Sequence, residues 1–154
     1  MKKRNLFIGI ICLLMLFTLT GCGKKNVIST ETFKSITESK GYTVNDVTNQ
    51  YTSFEFVKEA TIAVSKEGYQ VEFYVLEDEA NATKMFNTNK SMFESYKGSI
   101  STETSSSLNN YSTYTLKTSG KYMHICRVEN TFLYLNVDDM YKDSVKSLIK
   151  ELGY

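Results

Sequence analysis

The chain has 154 residues, with no proline, no tryptophan, one histidine and three cysteines. Each scarcity removes a class of function. A single histidine, His124, excludes any histidine-rich metal site, and neither H-E-x-x-H nor Cys-x-x-Cys occurs. No G-x-S-x-G elbow and no glycine-rich phosphate loop is present. Beyond Lys24-Lys25 and the first few residues there is no basic run, which argues against nucleic-acid binding, since that needs a clustered positive face. Aromatic area rests on 11 Tyr and 9 Phe, both good strand residues.

What is present is sharpest at the start. Lys2-Lys3-Arg4 forms a basic leader without an acid. The apolar run Leu6 to Leu19 follows, too short to span a bilayer comfortably but suited to the apolar region of a signal peptide. It closes in Leu19-Thr20-Gly21-Cys22 rather than in an A-x-A-like site. These 22 residues resemble the signal peptide of a bacterial lipoprotein precursor. The resemblance implies cleavage between Gly21 and Cys22 and lipidation of Cys22 through its sulfur. It also implies residence at the cell membrane, lipid-anchored, on the extracytoplasmic face. A diacylglyceryl group supplies two chains, where one alone binds a membrane only marginally. The division expected is 1–21 signal peptide, 22–28 lipidated cysteine and polar tether, and 29–154 one folded domain. Lys24 and Lys25 then fall near anionic headgroups.

Without the signal peptide the charge balance shifts. Lys2, Lys3 and Arg4 are three of 18 basic residues, leaving 15 against 17 acidic ones, formally −2. Cys12 leaves with the signal peptide and Cys22 is taken by lipid. Cys126 is then alone, so no disulfide forms within the domain. A lone strand cysteine is ordinarily a small buried hydrophobe.

Along the domain, Ser29 or Thr30 caps a short helix to about Lys40, with Phe33 and Ile36 on its apolar edge and Gly41 ending it. Tyr42 to Val47 reads as a short extended segment. Glu59–Lys66 and Tyr69–Leu76 alternate across Glu67-Gly68 and read as a hairpin. Asp78 starts an amphipathic helix striped by Ala82, Met85, Phe86, Phe93 and Tyr96. The Ser/Thr-rich stretch 99–110 reads as a mobile loop. Strands follow at about Ser112–Thr118, Tyr122–Glu129 and Phe132–Val137, joined at Ser119-Gly120 and Asn130-Thr131. A last helix, capped by Asp138 or Asp139, carries Tyr141, Val145, Leu148, Ile149 and Leu152. The fold expected is α+β: an antiparallel sheet of about five strands, with two long amphipathic helices and one short N-terminal helix packed on it. Val71–Gly98 and Phe132–Gly153 echo each other as strand, acidic cap, helix and glycine. This is either an old duplication or, the favoured reading, two ordinary β-to-α units obeying the same capping rules.

Three groups invite a chemical reading. His124 and Cys126 stand two residues apart on one strand face, about 7 Å along the chain, where a nucleophile and its base need ~3 Å. Glu77-Asp78-Glu79 and Asp138-Asp139 suggest carboxylate pairs or Ca²⁺, but lie where helix caps belong and lack EF-hand spacing. Tyr69, Tyr74, Tyr111, Tyr114, Tyr122 and Tyr134 would offer a sugar- or partner-binding surface if they faced outward. No catalytic, metal or cofactor residue is assigned. The expected function is a membrane-anchored, non-catalytic binding module with a protein or envelope partner. The alternative is a small envelope hydrolase or thiol enzyme using His124 and Cys126. A two-lobed solute receptor is disfavoured by length.

Overall fold

The computed structural model describes residues 23–154. Gly21 and Cys22, the expected cleavage and lipidation positions, lie outside the described residues. The order is α1 (Thr30–Ser39), β1 (Thr43–Asp46), β2 (Val57–Val64), β3 (Gln70–Leu76), α2 (Glu79–Ser95), β4 (Ser101–Leu108), β5 (Tyr111–Thr118), β6 (Lys121–Val128), β7 (Thr131–Asp138) and α3 (Lys142–Glu151). All strands join one antiparallel sheet in the order β1-β2-β3-β7-β6-β5-β4. It consists of two meanders, β1–β3 and β4–β7. Helix α2 carries the chain from the middle of the sheet to its far edge, and β7 returns to pair with β3.

The α+β class agrees with the sequence, but a sheet of about five strands does not: there are seven. The two additional strands are its two edges. β4 takes most of the stretch read as a mobile loop, and pairs with β5 over all eight residues. It has no apolar alternation because neither of its faces is covered, and nearly all its residues are exposed. Backbone hydrogen bonds to β5 and polar contacts hold it, such as Ser101 Oγ donating to Thr118 Oγ1 at 2.9 Å. β1 pairs with β2 through only four residues. The helix lengths also need correction. α2 has 17 residues, but α3 has ten, no more than α1.

The hairpin signal at β2–β3 is realised in continuous register from Glu59 to Val64, with a bulge between Val57 and Glu59. Ser29 caps α1 by accepting from the Thr32 backbone N–H at 3.2 Å, and Gly41 follows with φ +83°. Asp78 caps α2 by accepting from the Asn81 N–H at 2.7 Å. The cap expected at Asp138 or Asp139 is absent. A single 3₁₀ turn, Asp139–Tyr141, intervenes, and α3 starts without a side-chain cap. Both acids instead face cations, Lys121 at 2.6 Å and Lys117 at 2.8 Å. The last tight connection is Glu129-Asn130 rather than Asn130-Thr131, since Thr131 already pairs with Val128 and Glu129 takes φ +49°.

Helices cover both faces. On one, Phe33 of α1 and Val145, Leu148, Ile149 and Leu152 of α3 pack on Val71, Phe73, Leu133, Leu135, Cys126 and Val128. On the other, Ala82, Phe86 and Phe93 of α2 pack on Tyr74, Leu76, Tyr114, Leu116, Met123, Ile125 and Phe132. Every β6 residue after Lys121 is buried, because this strand has a covered face on both sides. The two strand–helix units of the echo, Val71–Gly98 and Phe132–Gly153, send their helices to different faces. α2, which follows β3, and α3, which follows β7, lie on opposite faces of the sheet.

Candidate functional site

His124 and Cys126 point to the α1/α3 face of β6, opposite Leu135 and Leu133 of β7 and Thr115 and Thr113 of β5. The His124 ring is buried. Its Nδ1 and Thr115 Oγ1 share a hydrogen bond of 2.8 Å, and its Nε2 has no partner among the described residues. Burial, with a smaller contribution from Lys25, lowers its pKa from 6.5 to about 4, so the ring is neutral at physiological pH. Cys126 is fully buried, and burial pushes its thiol up to about 12, with Lys25 and Arg127 opposing. Among the described residues its one hydrogen-bond contact runs to the Arg127 carbonyl at 3.8 Å. A thiol held protonated and away from water lacks the thiolate that nucleophilic chemistry uses.

The buried histidine has a measurable consequence. The unfolded chain takes up a proton near pH 6.5, whereas the folded ring resists until about pH 4. His124 therefore contributes stability that is fully present above pH 6.5 and is lost as pH falls toward 4. Between about pH 6.5 and 5, where most carboxylates stay ionised, the loss is on the order of 2 kcal/mol. Urea unfolding across this range should show that slope in the wild type and a flatter profile in His124→Leu. An unchanged slope in the variant would refute the assignment.

The acidic clusters are dispersed among partners. In the first, Asp78 caps α2, Glu77 faces Lys58 at 3.4 Å, and Glu79 accepts from Arg127 Nη1 at 2.6 Å. Arg127 is itself buried and also donates to the Glu129 carbonyl at 3.2 Å. With Asp138 and Asp139 on lysines, each of these five carboxylates has a hydrogen-bond or ion-pair partner of its own. Among the described residues, no group of three or more His, Cys, Asp or Glu is placed to hold a metal ion. The tyrosine surface also fails to form. Tyr74, Tyr114 and Tyr122 are buried, and Tyr69, Tyr111 and Tyr134 are half-buried. Tyr74 donates to Glu72 Oε2 and bonds the Tyr51 hydroxyl at 2.9 Å; burial first, then Glu72, raises its pKa.

Among the surface clefts of the described residues, two contrast in chemistry. One, of about 310 Å³, lies between the α1–β1 turn, the β2–β3 turn and the start of α3, and is polar: Lys40, Tyr42, Lys66, Tyr69, Ser144 and Ser147 contribute. Tyr42 and Tyr69 join through their hydroxyls at 2.9 Å. The other, of about 220 Å³, is apolar, set by Tyr51, Phe54, Phe56 and Val57 against Met85 of α2. Periodicity gave no sign of it, because the aromatic residues stand in a single 3₁₀ turn, Thr48–Tyr51, and the loop after it, between β1 and β2.

Gly23 and Lys25, at the start of the described residues, are also built into the body. Asn109 Nδ2 donates to the Gly23 carbonyl at 2.9 Å. Asn110 grips Lys25 in both directions, accepting from its backbone N–H at 3.1 Å and donating to its carbonyl at 2.8 Å. The Lys25 ammonium donates to the Gly153 carbonyl at 2.9 Å and lies 5.2 Å from the centre of the Tyr111 ring. The β4–β5 turn thus holds residues that the sequence suggests as a tether. Among the described residues, no helix is long and apolar enough to cross a membrane.

No protein-family model matches the chain, and no curated protein matches it. A crystal structure of a GTP binding regulator from Thermotoga maritima is similar at 17% identity, over 82% of this chain and 88% of that one, with a TM-score of 0.49. A likeness this distant carries no argument about function.

Proposed function

We propose that this chain is a lipid-anchored extracytoplasmic lipoprotein whose α+β domain is a non-catalytic binding module at the cell envelope. The observation that carries the reading is Leu19-Thr20-Gly21-Cys22 at the end of a basic-then-apolar leader, one residue ahead of Gly23. A cysteine so placed is a site for two acyl chains, which hold a domain on a membrane where one does not. The binding role is supported by the absence of a working nucleophile–base pair at His124 and Cys126, both buried and not bonded to each other. It is also supported by two open clefts of different chemistry, one polar and one apolar.

The test is crosslinking of the full-length tagged protein on intact cells. A defined partner is expected with wild type and with His124→Gln/Cys126→Ser, and is expected to be lost with Cys22→Ala. The contrary result is a cellular function that disappears in His124→Gln/Cys126→Ser while that protein still unfolds cooperatively. That would replace the binding reading with an enzymatic one.

A further inference from the structure

We infer that the β4–β5 turn is a membrane-orienting clamp. It would hold the domain upright, with the sheet end bearing Leu108, Asn109 and Asn110 against the lipid headgroups and the polar cleft facing away. The inference rests on lipidation of Cys22 and adds an orientation to it. Its basis is chain length. Cys22 is bonded directly to Gly23, so their Cα atoms are about 3.8 Å apart. The Gly23 carbonyl is held by Asn109, and both backbone polar groups of Lys25 are held by Asn110. Lys25 is further fixed to Gly153, just past the end of α3. A glyceryl group on the Cys22 sulfur would sit at headgroup depth, so only the Cys22 residue and its thioether-linked glyceryl separate the lipid from the turn.

Several elements share that end of the sheet. Asn110 donates to Glu129 Oε1 and accepts the Glu129 backbone N–H at 2.8 Å through its own carbonyl, so the β4–β5 and β6–β7 turns lie side by side. Tyr154 reaches Thr131 through its hydroxyl, adding the C-terminus. Leu108, half exposed, and exposed Lys24 flank the clamp, an apolar and a cationic side chain suited to an anionic lipid surface. The opposite end carries the β2–β3 and β5–β6 turns and the start of α3. Asp139 N–H donates to the Gly120 carbonyl there, and Tyr69 packs on Tyr141 with ring centres 4.7 Å apart. Eight-residue strands separate the two ends by roughly 25 Å. The polar cleft of Lys40, Tyr42, Lys66 and Ser144 belongs to the far end.

The test uses the full-length lipoprotein purified from membranes and returned to phosphatidylglycerol/phosphatidylcholine vesicles containing headgroup-quencher lipids. One fluorophore is placed at Leu108→Cys or at Glu67→Cys in the β2–β3 turn. Cys126 is buried and does not compete for label. The expected result is several-fold stronger quenching at position 108 than at 67. Asn109→Ala/Asn110→Ala should abolish that contrast while the protein still floats with vesicles. Equal quenching at both positions in vesicle-bound protein would overturn the orientation and leave the anchor intact. A contrast that survives the double substitution would overturn the clamp. Protein that fails to float would overturn the lipidation reading itself.

Discussion

Replacing Cys22 by alanine is expected to abolish stable membrane attachment of the mature domain. One acyl chain gives membrane binding of only about 10⁴ M⁻¹, roughly 5.5 kcal/mol, and a second adds a comparable amount. Losing both removes on the order of 10 kcal/mol. Lys24 and the turns beside it offer no substitute, since each basic residue near an anionic surface contributes only about 1 kcal/mol. Cell fractionation with gel mobility reads the result. The wild type should sediment with membranes in a processed form. Cys22→Ala should appear in the soluble fraction or persist as an unprocessed precursor. Unchanged processing together with unchanged attachment would contradict the account.

Phe73→Ala should be the most damaging single change within the domain. Phe73 is fully buried on β3, which pairs on both sides, with β2 and β7. Its ring stacks on Phe33 at 4.9 Å and meets Tyr154 edge-on at 6.1 Å, tying the sheet to α1 and the C-terminus together. Deleting a buried phenylalanine costs about 3–5 kcal/mol through lost transfer energy and the cavity left behind. Domains of this kind are stable by only about 5–15 kcal/mol. Chemical denaturation of a form beginning at Gly23 should show that loss. Phe54→Ala, at a half-exposed ring, should stay within about 0.5 kcal/mol of wild type. A small effect at Phe73 would mean the α1 face is not part of the cooperative core.

Sequence pattern revealed elements in proportion to how much of them is buried on one side. β2 and β3 alternate because each has a distinct inner face, and their hairpin was legible to within a residue or two. α1 and α2 carry Ser29 and Asp78, side chains that accept from backbone N–H groups, and their starts were equally legible. β4 was not, because a strand solvated on both faces has no apolar signal, and Ser105-Ser106-Ser107 looks like loop. The start of α3 misled for a related reason. Asp138 and Asp139 have the composition of a cap, yet their carboxylates are drawn to Lys121 and Lys117 across neighbouring elements.

The candidate sites divide the same way. Burial of His124 and Cys126 follows from β6 being covered on both faces, and for the cysteine the sequence foreshadowed it, since a lone strand cysteine is ordinarily a small buried hydrophobe. The hold of Asn109 and Asn110 on Gly23 and Lys25 spans some 85 residues of chain. An Asn-Asn pair between two strands reads only as a turn, and nothing in its composition marks a second duty. The apolar cleft of Tyr51, Phe54 and Phe56 was hidden because a single 3₁₀ turn and the loop after it have no period to be read.

The central claim is most directly tested by the mass of the N-terminal proteolytic fragment of the protein purified from membranes. The account predicts a fragment that begins at Cys22 and carries the added mass of a diacylglyceryl group. A fragment beginning at Met1, or one beginning at Cys22 with an unmodified thiol, would contradict it.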